Sequence, residues 1–311
     1  MGFAILWVMI LHSGLSIDSE LFQAFKRIGY GGVDIFLFAS GLGCSYSLNK
    51  NRDIISFLKR RAVRVLPTWW TFLIIWWLFQ KQLELDWSRA SFLGNFFAVQ
   101  AFIDWRQCFN WYVSVMLFTY LLAPYCFEFT ERESFSRRTF LSVEIILLLI
   151  CLPFLNHDYL ILMSRLPIFF AGFYIARLAR RGAVIDRHSA IGAVGVTLIG
   201  FGILIACAGH YSDQTMTDLG LWWYPFLLIT PGLCFGMSFV LSRAPLLDKI
   251  LSTVGTLSFE IYLMHLGLLY FLIVHPPSDN VQWLGWFAAS IAGGAALKFL
   301  VSKINRREAQ R

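Results

Sequence analysis

The chain has 311 residues, of which 58% are hydrophobic and only 14% charged, with 30 Phe and 12 Trp. Soluble domains average about 45–50% apolar residues, so this composition excludes an ordinary soluble enzyme and points to a chain that meets lipid. The net charge of +7 comes from residues that punctuate apolar runs rather than forming one face, which favours membrane topology over nucleic acid as its cause.

A bilayer-crossing helix needs about 20 mostly apolar residues. In chain order such segments fall at roughly 2–17, 29–49, 65–80, 109–127, 140–155, 163–179, 190–209, 220–241, 256–274 and 282–301. The expected fold is an all-α integral membrane bundle of about ten transmembrane helices. The first run, Gly2–Leu15, has no charged leader and no small-residue cleavage site, so it is expected to remain as a helix, and its start looks clipped. Ser91–Phe102 is too short to span and reads as an interfacial or re-entrant helix. No repeat or long linker divides the chain, so residues 1–304 are read as one transmembrane domain, followed by a short basic tail at 305–311. The six cysteines show no CxxC and no metal-type spacing with histidine. They read as small apolar packing residues, with no metal expected.

Lysine and arginine placement gives an orientation, because cytoplasmic loops hold their excess. Nineteen fall in loops 50–64, 128–139, 176–189 and 242–255 and in residues 303–311, against five in the alternate loops 18–28 and 81–108. Both termini are therefore expected to be cytoplasmic. On that reading the first helix runs outward and His12 lies about 8 Å below its outer end, at 1.5 Å per residue. The second helix runs inward and carries Asp34 at nearly the same depth.

Ionisable groups at membrane depth are costly and usually face a polar cavity. His12 and Asp34 thus form the first candidate site. A carboxylate beside an imidazole fixes its tautomer and stabilises the imidazolium formed on taking a proton, although a structural polar contact between two helices would use the same residues. Arg60, Arg61 and Arg64, at the mouth of the third span, suit a phosphate clamp for a nucleotide-bearing donor, or simple topological anchoring. Trp111 and Ser114 open the fourth span, as substrate contacts or as an aromatic belt residue and a backbone-bonded serine. Glu260, Tyr262 and His265 in the ninth span imply a polar interior, or helix–helix contacts. The aromatic residues of loop 81–108 (Trp87, Phe92, Phe96, Phe97 and Trp105) suit stacking on a sugar.

The order HSG at His12–Gly14, GVDIFLFASG at Gly32–Gly41, RRAVRVLP at Arg60–Pro67, WYVSVMLFTYLLAP at Trp111–Pro124 and LSFEIYLMH at Leu257–His265 resembles the acyltransferase 3 family. The resemblance covers nearly the whole chain. It implies a ten-helix membrane enzyme of the inner (plasma) membrane that moves an acyl group, most commonly acetyl, from cytoplasmic acyl-CoA to a hydroxyl of an envelope saccharide or glycolipid. It implies acyl-CoA as donor substrate rather than a bound cofactor, with membrane lipid and an envelope glycan as partners and no nucleic acid. By the family's pattern His12 is the essential histidine, Asp34 its accompanying aspartate, and Arg61 and Arg64 the paired arginines. The chain departs from that pattern in two places. Met1 stands where a basic residue often precedes the histidine by eleven positions, and Met116 stands where the fourth helix often carries a glutamate. The alternative is a proton-coupled transporter or flippase, against which no pair of Gly/Pro-broken helices recurs in the two halves.

Overall fold

The computed structural model describes residues 1–79, 88–155, 157–184, 186–274 and 277–309, and all regular structure among them is helical. The longer helices are α1 (Gly2–His12), α2 (Glu20–Arg27), α3 (Gly31–Lys50), α4 (Ile54–Phe79), α5 (Arg89–Phe96), α6 (Gln100–Ile103), α7 (Trp111–Glu131), α8 (Arg137–Ile150), α9 (Leu160–Met163), α10 (Leu166–Arg180), α11 (Arg187–His210), α12 (Asp213–Asp218), α13 (Phe226–Leu241), α14 (Pro245–Thr256), α15 (Ser258–Val274) and α16 (Asn280–Ala309). A helix occupies each of the ten apolar segments. Five helices, α9 and α10 being taken together, are long and apolar enough to cross a membrane alone, and seven spans result if the bent pairs α2–α3 and α14–α15 each count as one. α16 runs on to Ala309, and Trp87 lies outside the described residues.

Two boundaries that differ from the apolar pattern bear on the candidate site. α1 ends at His12 rather than near residue 17, because Ser13 turns to extended backbone and its hydroxyl donates to the Ile10 carbonyl. Beyond it, Ser16 is tied through its backbone to the Asn280 side chain at the start of α16. His12 therefore sits on the last turn of α1, not a turn and a half below its end. α4 begins eleven residues before the expected third span, since the Asp53 carboxylate accepts from the Ile55 and Ser56 backbone N–H groups and caps the helix. Arg60, Arg61 and Arg64 thus belong to a helix, not to a loop. Ser91–Phe102 forms the short helices α5 and α6, broken at Ala98, which takes a positive φ of 55°. The Trp69 and Trp70 indoles donate to the Asn95 and Phe96 carbonyls and fasten α5 to α4.

α3 lies at the centre. A Cβ at Gly41 would stand 2.2 Å from the Phe169 carbonyl oxygen, and one at Gly172 would stand 2.5 Å from that of Phe38, so the α3 and α10 backbones touch there. Such contacts are how helices associate closely where no hydrophobic force separates helix from lipid. The contacts of residues 34, 41 and 45 with 165, 172 and 180 advance together, so α3 and α10 run parallel. α1 packs antiparallel on the other side of α3. The fold thereby fixes His12, Asp34 and Arg165 around the N-terminal ends of α3 and α10.

Candidate active site

His12 Nδ1 lies 3.3 Å from His265 Nε2, and His265 Nδ1 lies 3.2 Å from the Ile261 carbonyl one turn back in α15. A carbonyl only accepts, so Nδ1 of His265 carries a proton, and in the neutral ring its Nε2 is then an acceptor. His12 Nδ1 must donate to it. That leaves the lone pair of His12 on Nε2, the arrangement of a general base whose tautomer is set by a second group. His265 is fully buried and its ring is packed edge-on against Tyr262 and Trp286.

The expected His12–Asp34 pair is not what forms. Both carboxylate oxygens of Asp34 accept from Arg165 Nη1 at 2.6 Å, with the two side chains essentially inaccessible. The physical reason is charge: a buried carboxylate is stabilised far more by a guanidinium than by a neutral imidazole. Arg165 precedes α10 directly, and its guanidinium also lies 5.7 Å from the Trp223 ring. The rule that flags His12 applies equally to Arg165, an arginine inside the apolar segment 163–179, and it is the signal by which this residue could have been singled out.

Two cavities have Tyr262 in their walls. The first, the histidine cavity, has a volume of about 290 Å³ and is lined by His12, Tyr30, Asn110, Trp111, Arg165 and Tyr262, among others. The second, the basic cavity, has a volume of about 420 Å³ and is lined by Arg61, Arg64, Lys298, Glu260, Tyr112 and Tyr262, among others. Tyr262 lines both, and its ring centroid is 4.8 Å from that of Tyr112. Three cations against one carboxylate make the second cavity suited to a polyanionic ligand.

The remaining sequence candidates divide. Arg61 is held in place by the Gly43 carbonyl and by the Phe57 and Tyr120 rings. Arg60 is exposed and shares a shallow hollow with Ser56, Lys59 and Val63, so it does not join Arg61 and Arg64. Ser114 is buried and lines neither cavity. Of the loop aromatics, Phe92 and Phe96 pack on Trp77 and Trp70, whereas Trp105 lines the histidine cavity and stacks on Trp111. Lys298, Tyr30 and Asn110 enter the two cavities without having stood out in the sequence.

An apolar helical bundle that holds a paired-imidazole cavity and a cationic one has the makings of a multi-pass membrane enzyme. The particular family follows from sequence comparison: the acyltransferase domain model of the acyltransferase 3 family matches residues 2–302, and the chain belongs to that family. It is an acyltransferase, acting on acyl groups other than aminoacyl groups. No curated protein and no solved structure matches the chain.

Proposed function

We propose that the protein transfers an acyl group, acetyl being the commonest in the family, from cytoplasmic acyl-CoA to a hydroxyl of an envelope saccharide or glycolipid. The observation that carries this reading is that a cavity holding Arg61, Arg64 and Lys298 and one holding His12 share Tyr262 as a lining residue. The arginines and Lys298 take the phosphates of the donor, and the pantetheine arm brings the thioester past Tyr112 and Tyr262 to His12. The acceptor hydroxyl enters the histidine cavity, where Trp105 and Trp111 offer aromatic faces to a sugar ring.

His12 Nε2 removes the proton of the acceptor hydroxyl as its oxygen attacks the thioester carbon. His265 accepts the hydrogen bond of His12 Nδ1 throughout and so keeps the base in its working tautomer. The thiolate of CoA leaves and takes the proton back from His12. Asp34 acts at one remove, by holding Arg165.

In this reading the chain crosses the inner (plasma) membrane ten times with both termini in the cytoplasm. The clustering of segment ends supports it. Met1, Arg61, Gly255 and Lys298, all from expected cytoplasmic ends, share the basic cavity. His12, Tyr30, Asn110 and Arg165, all from expected outer ends, share the other. The parallel run of α3 and α10 is also what the expected orientation of the second and sixth spans requires.

Membranes bearing the wild-type protein should release CoA from radiolabelled acetyl-CoA and pass the label to envelope material, and His12→Ala should do neither while remaining folded in the membrane. Full label transfer by His12→Ala would overturn the assignment.

A further inference from the structure

Among the described residues ten buried side-chain nitrogen and oxygen atoms have no hydrogen-bond partner, and four of them belong to three residues of the histidine cavity. They are Tyr30 Oη, Asn110 Nδ2, and Nε and Nη2 of Arg165. Buried polar groups are almost always paired, so a cluster of orphans in one cavity marks a place where something else supplies the partner. The three nitrogens can only donate and the phenol can donate. The missing partner is therefore an electron-rich oxygen.

The orientation of these groups is set by contacts that leave the donors free. Asn110 Oδ1 accepts from the backbone N–H groups of Tyr112 and Val113 as the cap of α7, which commits its oxygen and leaves Nδ2 over. Arg165 spends Nη1 on Asp34 and retains its Nε–Nη2 edge, the side of a guanidinium that presents two parallel N–H groups. The Tyr30 ring is wedged edge-on between Trp222 and Phe226.

Charge decides which oxygen. Arg165 and Asp34 are neutral as a pair, so the cavity has no surplus positive charge with which to offset a permanent anion in a buried site. Fixed donors in a dry cavity act most strongly on charge that appears only during reaction. We infer that Arg165, Tyr30 and Asn110 form the oxyanion cradle of the acyl transfer, an inference that rests on the acyl-transfer function proposed above. As the acceptor O–H bond breaks and its proton passes to His12 Nε2, the new C–O bond forms and the carbonyl π pair moves onto the thioester oxygen. Arg165 Nε and Nη2, Tyr30 Oη and Asn110 Nδ2 hold that oxygen. The pair then returns, the C–S bond breaks, and the thiolate takes the proton from His12. Arg165 is thereby a catalytic residue and Asp34 its positioning residue.

Three variants test the cradle without dismantling the site. Tyr30→Phe keeps the ring between its aromatic neighbours. Asn110→Ser keeps a helix-capping oxygen and loses the amide donors. Arg165→Lys keeps a cation against Asp34 and loses the paired N–H edge. With acetyl-CoA as probe and envelope extract as acceptor, turnover is followed as thiol release, and folding by the thermal midpoint in detergent. Each variant should lower kcat by about 100-fold, the usual effect of one lost oxyanion donor, with KM for acetyl-CoA unchanged. Unchanged kcat in folded Tyr30→Phe and Asn110→Ser protein would overturn the cradle and leave the acyltransferase reading standing. So would a loss confined to KM for the extract, which would make these residues acceptor contacts. Wild-type protein that releases no CoA from acetyl-CoA would remove the donor assignment and the cradle with it.

Discussion

Asp34 and Arg165 are 131 residues apart, and each is buried without access to solvent that could screen or hydrate it. Removing one member of such a pair leaves the other charge unpaired, at a cost of about 3–5 kcal/mol. Asp34→Leu and Arg165→Leu should each lower the thermal midpoint sharply in detergent, and the double variant should recover most of the loss. Additive losses would show that the two charges do not support one another. His265 is legible in the sequence only as a polar residue in an apolar span; its partnership with His12 comes from the packing of α15 against α1, which no local pattern encodes. His265→Leu, of similar bulk, should leave the protein folded and reduce turnover by about 100-fold through loss of the set tautomer. Retained turnover would reassign His265 to packing.

At the scale of elements, each of the ten apolar segments holds a helix, because burial of the backbone in hydrocarbon demands internal hydrogen bonding. The polar helices α2 and α12 and the amphipathic α14 lie outside those segments, and the segments do not locate the helix ends. The apolar run Gly2–Leu15 extends past His12, yet α1 stops there because Ser13 turns to extended backbone and Ser16 is tied to Asn280. The basic stretch before residue 65 is not apolar on average, yet its Phe57 is fully buried and the Asp53 cap starts α4 there. The contact of α3 with α10 is the element-scale constraint on the site. Gly172→Val puts side-chain atoms into the Phe38 carbonyl and should cost about 1–3 kcal/mol or more, read as a lower thermal midpoint with loss of activity. Gly195→Ala in α11, where a Cβ meets nothing within 4 Å, should be neutral or mildly stabilising. Equal effects of the two substitutions would contradict the close approach.

At the scale of the whole molecule, the chain holds a cationic cavity and an imidazole cavity that share Tyr262 as a lining residue, its ring packed on that of Tyr112. Arg61→Gln with Arg64→Gln should raise KM for acetyl-CoA by about 10-fold or more, as expected for lost charge-assisted hydrogen bonds, with kcat little changed. A fall in kcat alone would move these residues out of donor binding. In the proposed function the donor is held at one face and the acyl group delivered toward the other through His12. Sealed membrane vesicles of known sidedness, given radiolabelled acetyl-CoA on the cytoplasmic face only, test it most directly. Label should appear in envelope glycan on the opposite face with wild-type protein and not with His12→Ala. Label that reaches glycan only when acetyl-CoA is supplied on the glycan's own face would contradict it.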